Sequence, residues 1–436
     1  MQRNSISHSE TKGTYLPKLR KLFLTVLAFA VCAAFSAAAE SGGLQGNDEH
    51  WVGTWSTTLH APELLPGFTN PGFNNQTLRQ IVHISIGGQR VRLRLSTFGA
   101  SALPVDAAHI ALSAGGSSIV AGSDRALTFG GKTSIVIPPG APVVSDPVEL
   151  TVSDLANLAV SLFVSGATGP ATWHFDSRQI SYISPPGDFT GTTVMPLDPQ
   201  SPTSQSWFWL AGIDVVAPRN SETIAALGDS ITDGDQSTVD RNRRWTDELA
   251  RRLVQQDEHA IGMLNEGLDG NRLLHDVLGP NGLARFERDV LSQPGLAYVI
   301  VQLGGNDIFA LDPSETVTVD QIIQGHKQLI ERAHAMGLKI FGCTLTPVQG
   351  FLLPGTPFPV WTPANELRRQ AFNAWIRSSG EYDAVIDFDR VLRDPRQPAR
   401  ILPALDSGDH GHPTDAGYKA LADSINLSLF SEDYRQ

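Results

Sequence analysis

From residue 223 onward the sequence repeats one pattern, a short apolar run followed by a longer amphipathic stretch. The apolar runs have the length of strands and cover residues 224–227, 261–264, 297–303, 338–345 and 384–388. The amphipathic stretches have apolar residues at helical spacing and cover residues 245–255, 319–336, 364–378 and 415–429. Strands that alternate with helices predict a parallel sheet with helices on both faces. Five such strands predict a flavodoxin-like, doubly wound α/β domain over residues 218–436.

The preceding residues, 40–217, show a different pattern. Short strand-like runs alternate with turn residues and show almost no helical periodicity. Gly87-Gly88 separates two of these runs, residues 76–86 and 90–96, and predicts a hairpin turn between them. Spaced short strands of this kind predict a β-sandwich or jelly-roll-like domain. Residues 218–221 are the expected boundary between the two domains.

The first 39 residues have the features of a secretory signal peptide. Lys18, Arg20 and Lys21 precede an apolar run at residues 22–35, and a small-residue site ends at Ala39. We expect cleavage after Ala39 and a secreted or periplasmic location. An uncleaved anchor is the alternative, but the run is shorter than the ~20 residues that span a bilayer.

Charge and cysteine content narrow the classes of partner. The net charge of the chain is −12, which argues against nucleic acid and against stable association with anionic membranes. Without the leader, Cys343 is the remaining cysteine, so we expect no intramolecular disulfide. Its apolar surroundings predict a buried packing residue. The oligomeric state is left open.

Ser230 stands where the first apolar run of the α/β domain ends. Gly228 and Asp229 interrupt the run just before it. In open α/β sheets, reacting groups lie at the carboxyl ends of the strands. Ser230 is therefore a candidate nucleophile, provided that a base and an oxyanion hole exist elsewhere.

Asp409 and His412 are candidates for the acid and the base that would activate this serine. They are three residues apart, and in a turn or helix such residues share a face. The carboxylate can then bind one imidazole nitrogen while the other accepts the serine proton. Two alternatives compete: Asp409 as the N-cap of a helix that begins near Pro413, and His410 as the base.

Gly270 and Asn306 are candidates for the oxyanion hole. Each follows an apolar run, and a backbone N–H and a side-chain amide are the donor types that stabilise a tetrahedral oxyanion. Asn306 can also be interpreted as a simple turn residue. Asp229, Asp233 and Asp307 are expected to hold loops through side-chain-to-backbone hydrogen bonds.

These segments together resemble the GDSL, or SGNH, hydrolase family. The resemblance rests on Gly228-Asp-Ser230, Gly270, Gly304-Gly-Asn-Asp307 and Asp409-His-Gly-His412, which occur in the family's order over roughly residues 220–430. It implies that Ser230 is the nucleophile, His412 the base and Asp409 the orienting acid. It also implies that the oxyanion donors are the Ser230 N–H, Gly270 and Asn306.

The predicted activity is that of a metal-free and cofactor-free serine esterase. The β-rich module before a GDSL domain resembles a bacterial subgroup associated with xylan degradation, which points to acetyl groups on plant polysaccharides. Lipase, lysophospholipase, arylesterase, thioesterase and acyl transferase activities are the alternatives, and a non-enzymatic carbohydrate-binding protein is a further one. The polar loop 236–244 and the proline-containing apolar loop 350–361 favour short acyl groups over long chains.

The β-rich module offers two hypotheses of its own. Its tryptophans can serve either as sugar-stacking residues or as core residues, and core roles are favoured: Trp51, Trp55, Trp173, Trp207 and Trp209. His174 is a candidate for approaching the active site across the domain interface.

Overall fold

A computed structural model describes residues 50–62, 70, 72–99, 101–256, 260–309, 317–352 and 360–431. The predicted leader, residues 1–39, lies outside these ranges. His50–Gln436 forms one compact unit, and the domain boundary at residue 218 stays a prediction. No helix within the described ranges is both long enough and apolar enough to cross a bilayer.

Short strands make up the regular structure of residues 50–217, which we call the β-rich region. They are β1 (His50–Ser56), β2 (Gln76–His83), β3 (Gly88–Ser96), β4 (Leu103–Val105), β5 (Ala107–Gly115), β6 (Ser118–Ile119), β7 (Arg125–Ala126), β8 (Ile135–Ile137), β9 (Pro142–Val144), β10 (Val148–Val152), β11 (Asn157–Val164), β12 (Trp173–His174), β13 (Ser181–Pro186), β14 (Thr203–Ser204), β15 (Trp207–Phe208) and β16 (Leu210–Ala217).

Two antiparallel sheets organise the β-rich region. One has the order β1-β16-β3-β10, with β9 also paired to β3, and the other has the order β14-β13-β2-β11-β5-β6, with β7 paired to β5. Alternate residues of β3, such as Val91 and Leu93, share one apolar core with Leu158 and Val160 of β11. The β-rich prediction is confirmed, whereas the jelly-roll connectivity stays a prediction.

The hairpin predicted at Gly87-Gly88 is wrong. β2 pairs with β11 and β13, and β3 pairs with β16, β10 and β9, so the two strands lie in different sheets. Ile84 and Ile86 in the connection are buried in the core, and the Ile86 N–H donates to Thr54 Oγ1 (3.0 Å). Burial of these two side chains favours a crossing between the sheets over a tight turn.

The tryptophans of the β-rich region mostly belong to its core. Trp55, Trp173, Trp207 and Trp209 are at most 7% exposed, which agrees with the core interpretation and leaves these four rings unable to stack on a sugar. Trp51 carries the Arg92 guanidinium over its ring, 4.4 Å from the ring centroid.

A five-stranded parallel sheet forms the centre of the α/β region, residues 222–431. Its strands are β17 (Glu222–Gly228), β18 (Ile261–Glu266), β19 (Leu296–Gln302), β20 (Lys339–Cys343) and β21 (Ala384–Ile386), and β22 (Arg393–Asp394) and β23 (Gln397–Ile401) form a separate antiparallel pair. The order β18-β17-β19-β20-β21 is that of flavodoxin-like doubly wound sheets. The predicted parallel α/β sheet is therefore confirmed, and Cys343 is buried as expected.

Helices connect these strands. They are α1 (Ser230–Asp233), α2 (Trp245–Val254), α3 (Gly282–Arg285), a π-helical turn (Phe286–Leu291), α4 (Gly305–Ile308), α5 (Val319–Ala335), α6 (Pro363–Ser378), α7 (Phe388–Leu392), α8 (Asp415–Ser424) and a 3₁₀ turn (Leu427–Phe430). The four predicted amphipathic helices correspond to α2, α5, α6 and α8, the last of which ends before the predicted residue 429.

The β-rich region packs directly on the parallel sheet. A Cβ on Gly53 of β1 would lie 2.8 Å from Leu264 Cδ1 of β18, so this glycine permits the close approach of the two strands. Ser56 and Thr58 donate hydrogen bonds from the β-rich region to the Glu266 carboxyl group at the end of β18. Burial raises the pKa of Glu266 to about 8. The end of β18, which leads to Gly270, is thus hydrogen-bonded to the β-rich region as well as to its own sheet.

Candidate active site

Ser230 lies at the carboxyl end of β17, a central strand that is buried along its whole length. Gly228 has no room for a side chain, because a Cβ there would lie 2.1 Å from Thr232 Oγ1. Asp229 caps the next element by accepting the Ile231 N–H (3.1 Å), and α1 begins at Ser230. This geometry places the Ser230 hydroxyl at the edge of the sheet where α/β proteins bind ligands.

His412 lies between Ser230 and Asp409. Its Nε2 is 2.9 Å from Ser230 Oγ, and its Nδ1 is 2.6 Å from Asp409 Oδ2. The other Asp409 oxygen accepts the backbone N–H groups of His412 and Gly411, each at 2.8 Å. The turn therefore holds the carboxylate and the imidazole in one arrangement, with one ring nitrogen directed to each partner.

The charges of this group are strongly coupled. Burial raises the pKa of Asp409, but its hydrogen bond to His412 and the charge of that ring outweigh burial, and the pKa lies well below its usual value. In contrast, burial lowers the pKa of His412, but Asp409 and the nearby carboxylates of Asp235 and Asp269 outweigh burial and raise this pKa to about 9. The free base form of His412 is therefore favoured at alkaline pH.

The two alternative interpretations of this segment do not match the structure. Thr414, not Asp409, is the N-cap of α8, and its side chain accepts the Gly417 N–H. His410 binds Asp406 through Nδ1 (2.6 Å), and its side chain is 53% exposed. His412 is the histidine that lies beside Ser230.

Gly270 and Asn306 line the same cavity as Ser230 and His412. Gly270 has a φ of +67°, in the left-handed region, and a Cβ there would lie 2.2 Å from Leu278 Cδ1. This position therefore requires glycine. Asn306 lies in α4, which follows β19, so both predicted donors come from strand ends that flank β17.

The loops that carry these two donors are bonded to each other. Asn306 Nδ2 donates to the Asn271 carbonyl oxygen (3.1 Å). Asp307 accepts the N–H groups of Leu273 (2.7 Å) and Leu274 (3.0 Å). The expected loop-holding role of Asp307 is thus observed, and Asp229 plays the same role in α1.

The sequence did not single out Arg285, which lies at the back of the site. It is 1% exposed and donates to the carbonyl oxygens of Gly228 (2.8 Å) and Glu266 (2.9 Å) and to Asn271 Oδ1 (3.0 Å). A fourth hydrogen bond goes to Thr58 Oγ1 (2.9 Å) in the β-rich region. Nothing in the sequence distinguishes this arginine from the others, because these four partners lie 14 to 227 positions away along the chain.

A group of carboxylates beside His412 also emerges only in three dimensions. Asp235, Asp269 and His412 each present a ligand-type atom within 4.8 Å of the others. Both nitrogens of His412 already have partners, so we interpret the carboxylates as charges that favour the imidazolium form. Burial, with the charge of Asp235 next, raises the pKa of Asp269 to about 7.

The cavity over Ser230 is small where the structure describes it. Its volume is about 110 Å³. Polar groups line one side, and the apolar lining consists of Leu278, Phe309, Leu345, Val348, Phe351 and Val360. The predicted proline-containing wall lies in part outside the described residues, at 353–359. The described part of the cavity is therefore mainly apolar, with polar groups around Ser230 and His412 and room for a small group.

One family model matches part of the α/β region. Residues 226–420 match the model of the GDSL-like Lipase/Acylhydrolase family. No curated protein matches the chain.

Solved structures are similar to about half of the chain. A GDSL-like lipase from Bacteroides thetaiotaomicron VPI-5482 is 18% identical, with 48% of this chain and 88% of that chain covered and a TM-score of 0.36. The native M. smegmatis aryl esterase is 18% identical, with 48% and 98% covered and a TM-score of 0.38. A carbohydrate acetylesterase from Sinorhizobium meliloti is 18% identical, with 48% and 100% covered and a TM-score of 0.37.

Proposed function

We propose that the chain hydrolyses short acyl esters through Ser230, His412 and Asp409, as expected of the GDSL-like lipase/acylhydrolase family, whose model residues 226–420 match. The observation that carries the proposal is the continuous chain of contacts from Ser230 Oγ to His412 Nε2 and from His412 Nδ1 to Asp409 Oδ2. Such a chain lets a neutral imidazole remove the serine proton while the carboxylate stabilises the imidazolium that forms.

Acylation begins when His412 Nε2 takes the proton of Ser230. The serine oxygen attacks the ester carbonyl carbon, and the carbonyl oxygen becomes an oxyanion. The Ser230 N–H, the Gly270 N–H and the Asn306 amide are the proposed donors to this oxyanion. When the tetrahedral intermediate collapses, His412 returns the proton to the departing alcohol, and the acyl group remains on Ser230.

Deacylation repeats these steps with water. His412 removes a proton from the water molecule, whose oxygen attacks the acyl carbon. Collapse of the second intermediate releases the carboxylic acid and returns the proton to Ser230.

The proposed substrates are acetyl esters of hydroxyl-rich alcohols, with acetylated plant polysaccharides as the leading class. A cavity of about 110 Å³ suits an acetyl group better than a chain of eight carbons. The polar sequence of residues 236–244, which follow α1, favours a hydroxyl-rich alcohol. We also propose that the protein is secreted or periplasmic, which N-terminal sequencing of the mature protein tests by a start at Glu40.

Covalent labelling combined with a substrate series tests this function. A serine-directed phosphonate should inactivate the enzyme and add its mass to the peptide that contains Ser230, and EDTA should have no effect. Inactivation by EDTA that a divalent ion reverses would contradict the mechanism.

The substrate series separates the remaining alternatives. Among p-nitrophenyl esters, acetate should react much faster than chains of eight or more carbons, and a maximum at eight carbons or beyond would indicate a lipase instead. Acetate release from acetylated xylan tests the polysaccharide assignment. A requirement for an added sugar acceptor would indicate an acyl transferase.

A further inference from the structure

We propose that His174, a residue of the β-rich region, positions the oxyanion hole of the α/β region by holding Asp233. The proposal rests on the proposed function, because it assigns a role to the loop that carries Gly270. His174 itself does not line the cavity over Ser230, so its role would be that of a positioning residue.

Both nitrogens of the His174 ring face acceptors. Nδ1 is 2.8 Å from the Thr58 carbonyl oxygen, and Nε2 is 3.0 Å from Asp233 Oδ1. A carbonyl oxygen and a carboxylate both accept, so the ring donates at both positions and carries a positive charge. Burial lowers the pKa of His174, but the Asp233 carboxylate outweighs burial, and the pKa is raised. The side chain is 1% exposed.

Asp233 connects His174 to both parts of the catalytic site. It is the last residue of α1, the short helix that begins at Ser230. Its second oxygen, Oδ2, accepts the Asp269 N–H (3.1 Å), and Asp269 directly precedes Gly270. The Asp233 carboxylate thus joins the helix of the nucleophile to the turn whose N–H is the proposed oxyanion donor.

Hydrogen bonds beside His174 fix its segment relative to α1. Arg178 Nη2 donates to the Ser237 carbonyl oxygen (2.7 Å), and Gln179 Nε2 donates to Asp240 Oδ1 (2.7 Å). The β-rich chain around His174 is therefore bonded to the loop that follows α1 at several points. These hydrogen bonds fix the position of His174, so its ring can hold the Asp233 carboxylate in one orientation.

Loss of the His174 ring should leave Asp233 free to rotate and the Asp269–Gly270 turn less well held. An oxyanion donor displaced by about 1 Å can cost up to about a hundredfold in rate. The transition state would be affected and the bound substrate would not, because the full oxyanion exists only in the transition state. A role restricted to folding would instead lower the amount of active enzyme without changing the rate per active site.

The experiment compares full-length His174→Ala with the wild type on p-nitrophenyl acetate. Active sites are counted by phosphonate labelling of Ser230, so that kcat refers to folded enzyme only. We expect kcat to fall by about 10- to 100-fold with KM within twofold of the wild type. His174→Gln, whose amide can donate to Asp233, should restore much of the loss.

His109→Ala is the matched control. His109 also pairs with an aspartate of the β-rich region, since its Nδ1 lies 2.9 Å from Asp124 Oδ2. Both side chains are half-buried, and removal of His109 should leave kcat unchanged. Asp233→Asn should lower kcat as well, and its loss should not add to that of His174→Ala, because both act through one chain of contacts.

Several results would overturn the proposal: kcat within twofold of the wild type in His174→Ala, a change confined to KM, an equal loss in His109→Ala, or additive losses in the double variant. If His174→Ala does not fold, Asp233→Asn provides the comparison, and a kcat within twofold of the wild type in that variant would overturn the proposal. A wild type that neither hydrolyses esters nor labels at Ser230 would overturn the proposed function, and this proposal with it. Activity in the wild type with no His174 effect would remove this proposal alone.

Discussion

The β-rich region and the α/β region both reach the active site, but they do so in different ways. In the α/β region, four of the predicted functional residues line the cavity itself: Ser230, Gly270, Asn306 and His412. The β-rich region contributes two residues that do not line the cavity. Thr58 accepts a hydrogen bond from Arg285 of α3, and His174 binds Asp233 at the end of α1. The residues proposed for the chemistry thus belong to the α/β region, whereas residues of both regions are proposed to hold them in position. Substitutions in the two regions should therefore have very different consequences for kcat.

The largest expected effect belongs to the pair in direct contact with the reacting atoms. Ser230→Ala and His412→Ala should each lower kcat by about 10⁶-fold with the fold intact, because the first removes the nucleophile and the second removes the base. Circular dichroism and p-nitrophenyl acetate hydrolysis measure both properties. His410→Ala is the control, and a greater loss there than in His412→Ala would invalidate the assignment of the base.

Asp409→Ala should reduce kcat less, by about 10⁴-fold. The base would remain, and Asp235 Oδ2, 3.6 Å from His412 Nδ1, would still attract its proton. Single-turnover hydrolysis measures the loss. A loss as large as that of His412→Ala would show that Asp235 gives no support.

Asn306→Ala should lower kcat by about 10²- to 10³-fold with little change in KM, because its amide would meet charge that develops in the transition state. Steady-state kinetics separate the two parameters. An effect on KM alone would make Asn306 an ordinary substrate-binding residue.

Asp235→Asn should change the pH dependence of kcat/KM more than its maximal value. His412 must be neutral to act as a base, and its pKa of about 9 makes kcat/KM of the wild type rise with pH up to about that value. Removal of the Asp235 charge should lower this pKa, so the rising limb should move to lower pH. A pH profile tests this, with exposed Asp423→Asn as control, and coincident limbs in the variant and the wild type would contradict the prediction.

The smallest effect on kcat is expected at Asp214 of β16, which does not line the cavity over Ser230. Asp214 is fully buried and binds Arg92 (2.9 Å) and Arg94 (3.0 Å). Asp214→Asn should lower the free energy of unfolding by about 1–3 kcal/mol, while kcat per labelled active site stays constant. Urea denaturation and active-site titration measure the two quantities, and a fall in kcat would show that this region affects chemistry more widely than through Thr58 and His174.

The same contrast explains what the sequence could predict. The α/β sheet was predictable because each strand and its following helix are adjacent in sequence, and because Ser230, Gly270 and Asn306 each stand just after a strand. The contact between Asp409 and His412 was also predictable, because the two residues lie within one turn. The role of Arg285 was not predictable, because four of its five partners are brought together only by folding. The hairpin prediction at Gly87-Gly88 was wrong because turn residues indicate where the chain bends, but not which sheet the next strand joins.

The pairing of β1 with β16 has a consequence for how the chain is made. β1 is the first described strand, and its hydrogen-bonding partner is the last strand of the β-rich region. A nascent chain must therefore expose β1 without its partner until Ala217 has been synthesised, and only then can the sheet close. Contacts between such distant segments slow folding and leave strand edges open to wrong partners meanwhile. β1 thus emerges early but is paired only after Ala217 has been made, so its edge stays open during most of the synthesis of the β-rich region.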